Sequence, residues 1–270
     1  MNLKTKSHLL GIIFKNNRLD DYEEIIKEAK DKDYVVCNVS EFFLKYLNTD
    51  GKYLILRHDV DYKTPGIEKM FLIEKKYNVT STYYFRDNTL YENLAKQMNS
   101  CGFEVGYHYE TIAHLIQKGI IHEKSDIDVE LVREEFKKEL DLFVNRVGFP
   151  IKSCAAHGAP ENIRIGVSNN IIFEGIDASK LGVDFEAYNI PLINAITSYI
   201  SDSGIMHNYG FQYAGDTPFD SINKEEKVIL FLTHPNHWYL SLFERFKKLV
   251  RMCIGKGEYD SNIKFSRLDN

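Results

Sequence analysis

Leu54-Ile55-Leu56-Arg57-His58-Asp59-Val60-Asp61 runs an apolar strand directly into one imidazole and two carboxylates. Alternate residues of a strand face opposite sides, so Asp59 and Asp61 leave its carboxyl end on one face. Two like charges there repel. A divalent cation, a shared proton or a cationic partner relieves the repulsion, and each is raw material for acid/base or metal chemistry. A lone Asp-x-Asp at a strand end is more often a helix cap or a turn, so the meaning of this segment depends on the strands around it.

Working outward, residues 53–58 read as the first strong strand, 66–77 as a helix and 79–85 as a β-branched and aromatic strand. Residues 88–100 are helical, Gly102 ends that helix, and 103–107 form a strand that delivers His108. A long amphipathic helix is predicted over 128–147, weaker strands over 151–155, 170–173 and 196–200, and a last clear strand over 228–233. Upstream, 22–29 has helical spacing, 33–39 reads as a short strand and 40–47 as a helix with Ser40 as N-cap. Residues 238–253 supply a closing helix with a basic end.

Strands alternating with helices imply a mainly parallel sheet, open or closed, with functional groups at the carboxyl ends of the strands. The unusual polar residues fall there: His58, Asp59 and Asp61, then His108 and Glu110, then His157, then His234 and His237. Five of the nine histidines therefore sit just after predicted strands. Random scatter seldom produces that clustering.

Four segments carry a further signal: Arg57-His58-Asp59-Val60-Asp61, Glu104-Val105-Gly106-Tyr107-His108-Tyr109-Glu110, His157-Gly158-Ala159-Pro160 and Leu232-Thr233-His234-Pro235-Asn236-His237-Trp238. Their order and spacing resemble the polysaccharide deacetylase superfamily with the NodB-homology domain, in a branch bearing Arg-His-Asp-Val-Asp and His-Tyr-Glu signatures. The resemblance implies a distorted (β/α) barrel of about seven parallel strands. It also implies metal-dependent hydrolysis that removes acyl groups from an amino sugar or polysaccharide precursor. Carried over residue by residue, Asp59 becomes the general base, Asp61 and His108 metal ligands, and His234 the acid that protonates the leaving amine. The family's second ligand histidine lies four residues after the first, where this chain has Ile112. His114, Glu110 or another residue must then complete the site, and His114 is the expected third ligand. Arg57 or His157 would take the orienting role of the family's arginine. Pro235 and Trp238 would shape the wall, and Asp202 would orient an imidazole. With His58 and Glu110, these residues make up the substrate-binding or supporting set.

Mixed His/carboxylate ligation without cysteine fits Zn²⁺, and would accept Co²⁺, Ni²⁺, Mn²⁺ or Fe²⁺. Such an ion polarises an acyl carbonyl and lowers the pKa of bound water, while imidazole, with an ordinary pKa of about 6.5, suits proton donation near neutrality. Two other readings stand beside this one. A glycoside hydrolase using two carboxylates would need no metal, and a catalytically silent carbohydrate-binding relative would have lost its metal through Ile112.

Composition bounds the rest. With 270 residues and 44% hydrophobic content, one large α/β domain is expected over 1–270, with 1–50 as an N-terminal α/β preamble and 254–270 as a loose tail. A net charge of -5 without a dense Lys/Arg cluster gives nucleic acid no footprint, and the partner expected is a carbohydrate substrate. The short apolar run after Lys4 and Lys6 lacks a small-residue cleavage site, so it reads as a first element of the fold, with no stable membrane insertion. Cys37, Cys101, Cys154 and Cys253 show no paired spacing, which fits reduced, buried thiols and a cytoplasmic setting.

Overall fold

The structure, a computed structural model, describes residues 17–203, 211–213 and 217–241. Residues 18–239 form one compact unit. The strands are β1 (Val35–Cys37), β2 (Tyr53–Val60), β3 (Thr82–Phe85), β4 (Glu104–Tyr109), β5 (Ser153–Ala156), β6 (Phe185–Glu186), β7 (Ser198–Ser201), β8 (Gln212–Tyr213) and β9 (Val228–Thr233). They make one sheet in the order β6-β5-β4-β3-β2-β9-β7-β8, with β1 beside the start of β2. Seven strands of this path run parallel and only β8 is antiparallel, giving the curled, open (β/α) half-barrel that alternating strands and helices predict.

β2 is the central strand, and all eight of its residues are buried. Its odd-numbered residues face the inside of the curl, where Tyr53 and Ile55 pack with Tyr84, Ala155, Phe185, Leu230 and Leu232. Its even-numbered residues face the helices, Leu54 and Leu56 packing against α1 (Leu19–Asp31) and α2 (Gly66–Lys76) through Tyr22, Ile26 and Met70. The same alternation runs through β4, which turns Val105, Tyr107 and Tyr109 to the outer core and Glu104, Gly106 and His108 inward. Gly106 is required, because a Cβ there would lie 2.3 Å from ring atoms of Tyr84. Glu104 closes the lower end of the curl, accepting hydrogen bonds from the Ser40 amide and hydroxyl and from the Thr82 and Ser153 hydroxyls.

Beyond α3 (Glu92–Ser100) and α4 (Thr111–Gln117), α5 (Val129–Val147) covers the outer face of β4 with Val132, Phe136, Leu140, Phe143 and Val147. Asp128 caps it by accepting from the Glu130 and Leu131 amides, and Gly148 stops it at φ +80°. A cap of this kind is worth about 1 kcal/mol, and each fully buried phenylalanine about 1.5–3 kcal/mol.

Two local expectations fail. Residues 170–173 are no strand: Asn169–Phe173 forms a 3-10 helix whose residue Asn169 is tied to the loop after β5. Asn38, not Ser40, caps the turn Val39–Glu41, because the Ser40 hydroxyl is taken by Glu104. Of the helix predicted over 238–253, only 238–241 are described: Trp238 closes the short helix Pro235–Trp238, the backbone is extended at Tyr239, and residues 242–253 lie outside the described residues. The first 16 residues and the predicted loose tail also lie outside them. No helix among the described residues is long and apolar enough to cross a membrane.

Candidate active site

The inward parity of each strand continues one or two residues past its end and collects Asp59 and Asp61 from β2, Arg86 from β3, His108 and Glu110 from β4, His157 from β5 and His234 from β9. At their centre is the Asp61 carboxylate. His108 Nε2 lies 3.3 Å and His157 Nε2 3.6 Å from its Oδ1, and His234 Nε2 lies 3.6 Å from its Oδ2.

Each of these imidazoles is held from behind through Nδ1. His108 Nδ1 donates to the Ala155 carbonyl at 2.9 Å, His157 Nδ1 to Glu110 Oε1 at 2.9 Å, and His234 Nδ1 to Asp202 Oδ1 at 2.6 Å. For His108 and His157, a proton on Nδ1 leaves Nε2 of the neutral ring able to serve as a ligand at the centre, as metal-ligating histidines are usually held, whereas His234 faces the other Asp61 oxygen. Asp61 Oδ1 is buried, yet it receives no hydrogen bond among the described residues. Buried carboxylate oxygens are rarely left in that condition.

Asp61, His108 and His157 offer ligand atoms within 4.8 Å of one another. Ligands about 2.0–2.2 Å from a tetrahedral Zn²⁺ stand about 3.3–3.6 Å apart, the range over which both Nε2 atoms approach Asp61 Oδ1. The residues present therefore fit a divalent cation. His234 faces the other carboxylate oxygen and lies outside that group, so three protein ligands leave positions open, as in catalytic rather than structural sites.

Asp59 lies beside the cluster, its Oδ2 3.6 Å from His108 Nε2, and it is gripped through both oxygens by Arg57, Nε at 2.8 Å and Nη2 at 2.9 Å. Arg57 is fully buried; its Nη2 also donates to Tyr188 Oη at 2.8 Å, and Tyr188 lies under its guanidinium. Burial alone would raise the Asp59 carboxyl, but the Arg57 guanidinium, His108 and His234 hold it below the usual range. Burial opposes ionisation of Asp61 too, and the three imidazoles overcome it. Burial would lower His108, whereas Asp59 and Asp61 raise it. His234 is pushed up to about 9, because Asp202 and then Asp61 and Asp59 outweigh its burial. Asp202 itself is fully buried, and its Oδ2 accepts from the His234 amide and from Trp238 Nε1 at 2.7 Å. His237 Nδ1 stands 3.2 Å from Asp202 Oδ1. With Asp202 this occupied by donors, the grouping of Asp202, His234 and His237 works as a support for His234.

Two expected site residues lie elsewhere. His114 does not join the cluster: it projects from α4, where its Nδ1 pairs with Glu139 at 2.7 Å and its Nε2 is 3.9 Å from Glu110. Ile112, at the resemblance's second histidine position, is buried in the outer core. The third imidazole is His157, anchored by its amide on the Tyr109 carbonyl and by its own carbonyl on Asn169. His58 faces the helices, as alternation along β2 requires, with Nδ1 on Thr233 Oγ1 and Nε2 on Glu74. Trp238 is buried and contributes its indole N–H to Asp202 rather than a wall. Arg86 and Tyr188 were not anticipated. Arg86 follows β3 with the inward parity of Thr82 and Tyr84, a position the strand-end rule could have flagged.

No family model matches the chain, and no curated protein does. Solved structures do resemble it. A CE4 family pseudoenzyme from Bacillus anthracis is 15% identical over 77% of this chain, with a TM-score of 0.40, and the match spans 62% of that chain, under two thirds of its length. The catalytic domain of a peptidoglycan N-acetylglucosamine deacetylase from Eubacterium rectale is 13% identical over 83% of this chain and 96% of its own, with a TM-score of 0.45. A polysaccharide deacetylase assigned to O-antigen biosynthesis in Bordetella bronchiseptica is 13% identical over 77% of this chain and 81% of its own, with a TM-score of 0.46.

Proposed function

We propose that this protein is a metal-dependent hydrolase that removes an acyl group, in the first instance acetyl, from the nitrogen of an amino sugar or a polysaccharide precursor. One observation carries the reading. Two imidazoles, His108 and His157, each fixed through Nδ1, converge on a buried Asp61 oxygen that no donor among the described residues satisfies, with arginine-bound Asp59 on one side and the Asp202-bound imidazole of His234 facing the other Asp61 oxygen. The acyl-sugar substrate comes from the resemblance of the four strand-end segments to polysaccharide deacetylases.

Asp61, His108 and His157 would hold one divalent cation, Zn²⁺ first among candidates, which when bound polarises the scissile carbonyl and acidifies a water. Asp59 would take the proton from the attacking water, and Arg57 keeps that carboxylate ionised and fixed. His234 would deliver a proton from Nε2 to the leaving amine, while Asp202 holds its Nδ1–H and stabilises the charged ring. The amine then leaves protonated, and acetate carries the water's oxygen.

The test is acetate release from N-acetylated monosaccharides and chitooligosaccharides by protein reconstituted with Zn²⁺, against protein stripped by a chelator. Release that needs the metal and vanishes in Asp59→Asn supports the reading. Glycosidic cleavage that survives chelation would replace it with the two-carboxylate mechanism.

A further inference from the structure

Arg86 stands where three strands end; it touches one of the three cation-site residues, Asp61, directly and a second, His157, through Glu110, without being a ligand itself. Its guanidinium grips Glu110 through both oxygens, Nε to Oε2 at 2.5 Å and Nη2 to Oε1 at 2.9 Å. Its remaining nitrogen, Nη1, donates to the Asp61 carbonyl at 3.2 Å. Glu110 in turn accepts Nδ1–H of His157 at 2.9 Å. The same turn secures the strand end once more, since Thr89 Oγ1 donates to the Val60 carbonyl at 2.7 Å.

We propose that Arg86 and Glu110 are positioning residues for the cation site: Arg86 sets Asp61 through its main chain and His157 through Glu110, so that two ligands from different strands share one template. The proposal rests on the ligand set given above. Its physical basis is the fork of the guanidinium, which satisfies a carboxylate bidentately and still has a third nitrogen for a carbonyl, a geometry that lysine cannot reproduce. It also accounts for a third ligand on the loop after β5. A histidine on a Gly-containing loop needs an external brace, and Glu110 supplies one. The brace is itself buried and fixed, with only 7% of the Glu110 side chain exposed.

The test is Zn²⁺ affinity of the full chain, measured by competition with a chromophoric chelator, together with the visible absorption of the Co²⁺ form, which reports ligand geometry. Arg86→Lys and Glu110→Gln are compared with wild type and with Asp61→Ala. Loss of an outer hydrogen-bond partner typically weakens metal binding about 10- to 100-fold. The expected result is a loss of that size in Arg86→Lys, a smaller loss in Glu110→Gln, which keeps an acceptor for His157, and a shifted Co²⁺ spectrum in both, with denaturation midpoints near wild type. Should Arg86→Lys fail to fold, the near-isosteric Glu110→Gln decides. Wild-type affinity and an unchanged Co²⁺ spectrum in the folded variants, with Asp61→Ala metal-free, would overturn the positioning role and leave the ligand set standing. Absence of Zn²⁺ binding in wild type itself would overturn both.

Discussion

Strand β2 carries two buried polar clusters back to back, and they are finished to different degrees. On the helix side, His58 uses both ring nitrogens, on Thr233 and Glu74, and Glu74 is surrounded by donors from Tyr22, His58, Ser81 and Tyr83. Burial and the Glu74 charge keep the Tyr22 and Tyr83 phenols protonated. On the inner side, His108, His157 and His234 each use one nitrogen and aim the other at Asp61, whose Oδ1 receives nothing among the described residues. Both clusters place imidazole beside carboxylate in the protein interior. The satisfied one binds β2, β9 and α2 together; the unsatisfied one is poised for a group the chain does not itself supply.

The largest effect that sharpens this contrast is on the inner side. Asp61→Ala removes the shared centre and should abolish metal binding; loss of a Lewis acid worth several kcal/mol then costs about three decades or more in acetate release. Asp59→Asn should retain the metal, since Asp59 is not in the ligand group, yet lower kcat about 10²- to 10⁴-fold. Metal content measured beside turnover separates the two variants.

On the outer side the sign of the effect changes from function to stability. Glu74→Ala strips four buried donors, His58 Nε2 among them, of their acceptor, so chemical denaturation should report a loss of about 3–5 kcal/mol. Zn²⁺ stoichiometry of the folded molecules should stay at the wild-type value. A folded Glu74→Ala protein that had lost its metal would show that the two faces are coupled through β2 and would break the comparison.

The smallest effect is a shift in pH dependence. His234 donates only while protonated, so kcat should hold below its pKa and fall as pH rises through it, at or below about 9, since a cation beside Asp61 cancels part of the field that raises it. Asp202→Asn removes the largest raising influence and should move that basic limb down towards the ordinary imidazole value of about 6.5. A basic limb that stays put in Asp202→Asn would remove His234 as the acid.

How much of this could be read in the chain follows the same division. The alternation of β2 put Asp59 and Asp61 on one face, and the structure gathers them with the other strand-end residues into one cluster. The same alternation puts His58 on the opposite face, but its place inside a contiguous Arg-His-Asp-Val-Asp motif hid that. Strands with continuous apolar runs, such as Val228–Thr233, were legible to the residue. Asn169–Phe173 was not, because a short apolar run carries no period of its own. The third imidazole was hidden for a different reason. His114 and His157 sit on separate elements, and their relation to His108 is set by how α4 and the loop after β5 pack, which no local spacing encodes. Arg86 lay in view after a strand, but a lone arginine there is indistinguishable from a solvated charge until Glu110 is seen against it.

The most direct test of the account is the Zn²⁺ content of the purified, reconstituted protein by elemental mass spectrometry, comparing wild type with His157→Ala and His114→Ala. Close to one Zn²⁺ per chain is expected in wild type and in His114→Ala, with loss in His157→Ala. Retention in His157→Ala with loss in His114→Ala, or no metal in wild type, would contradict it.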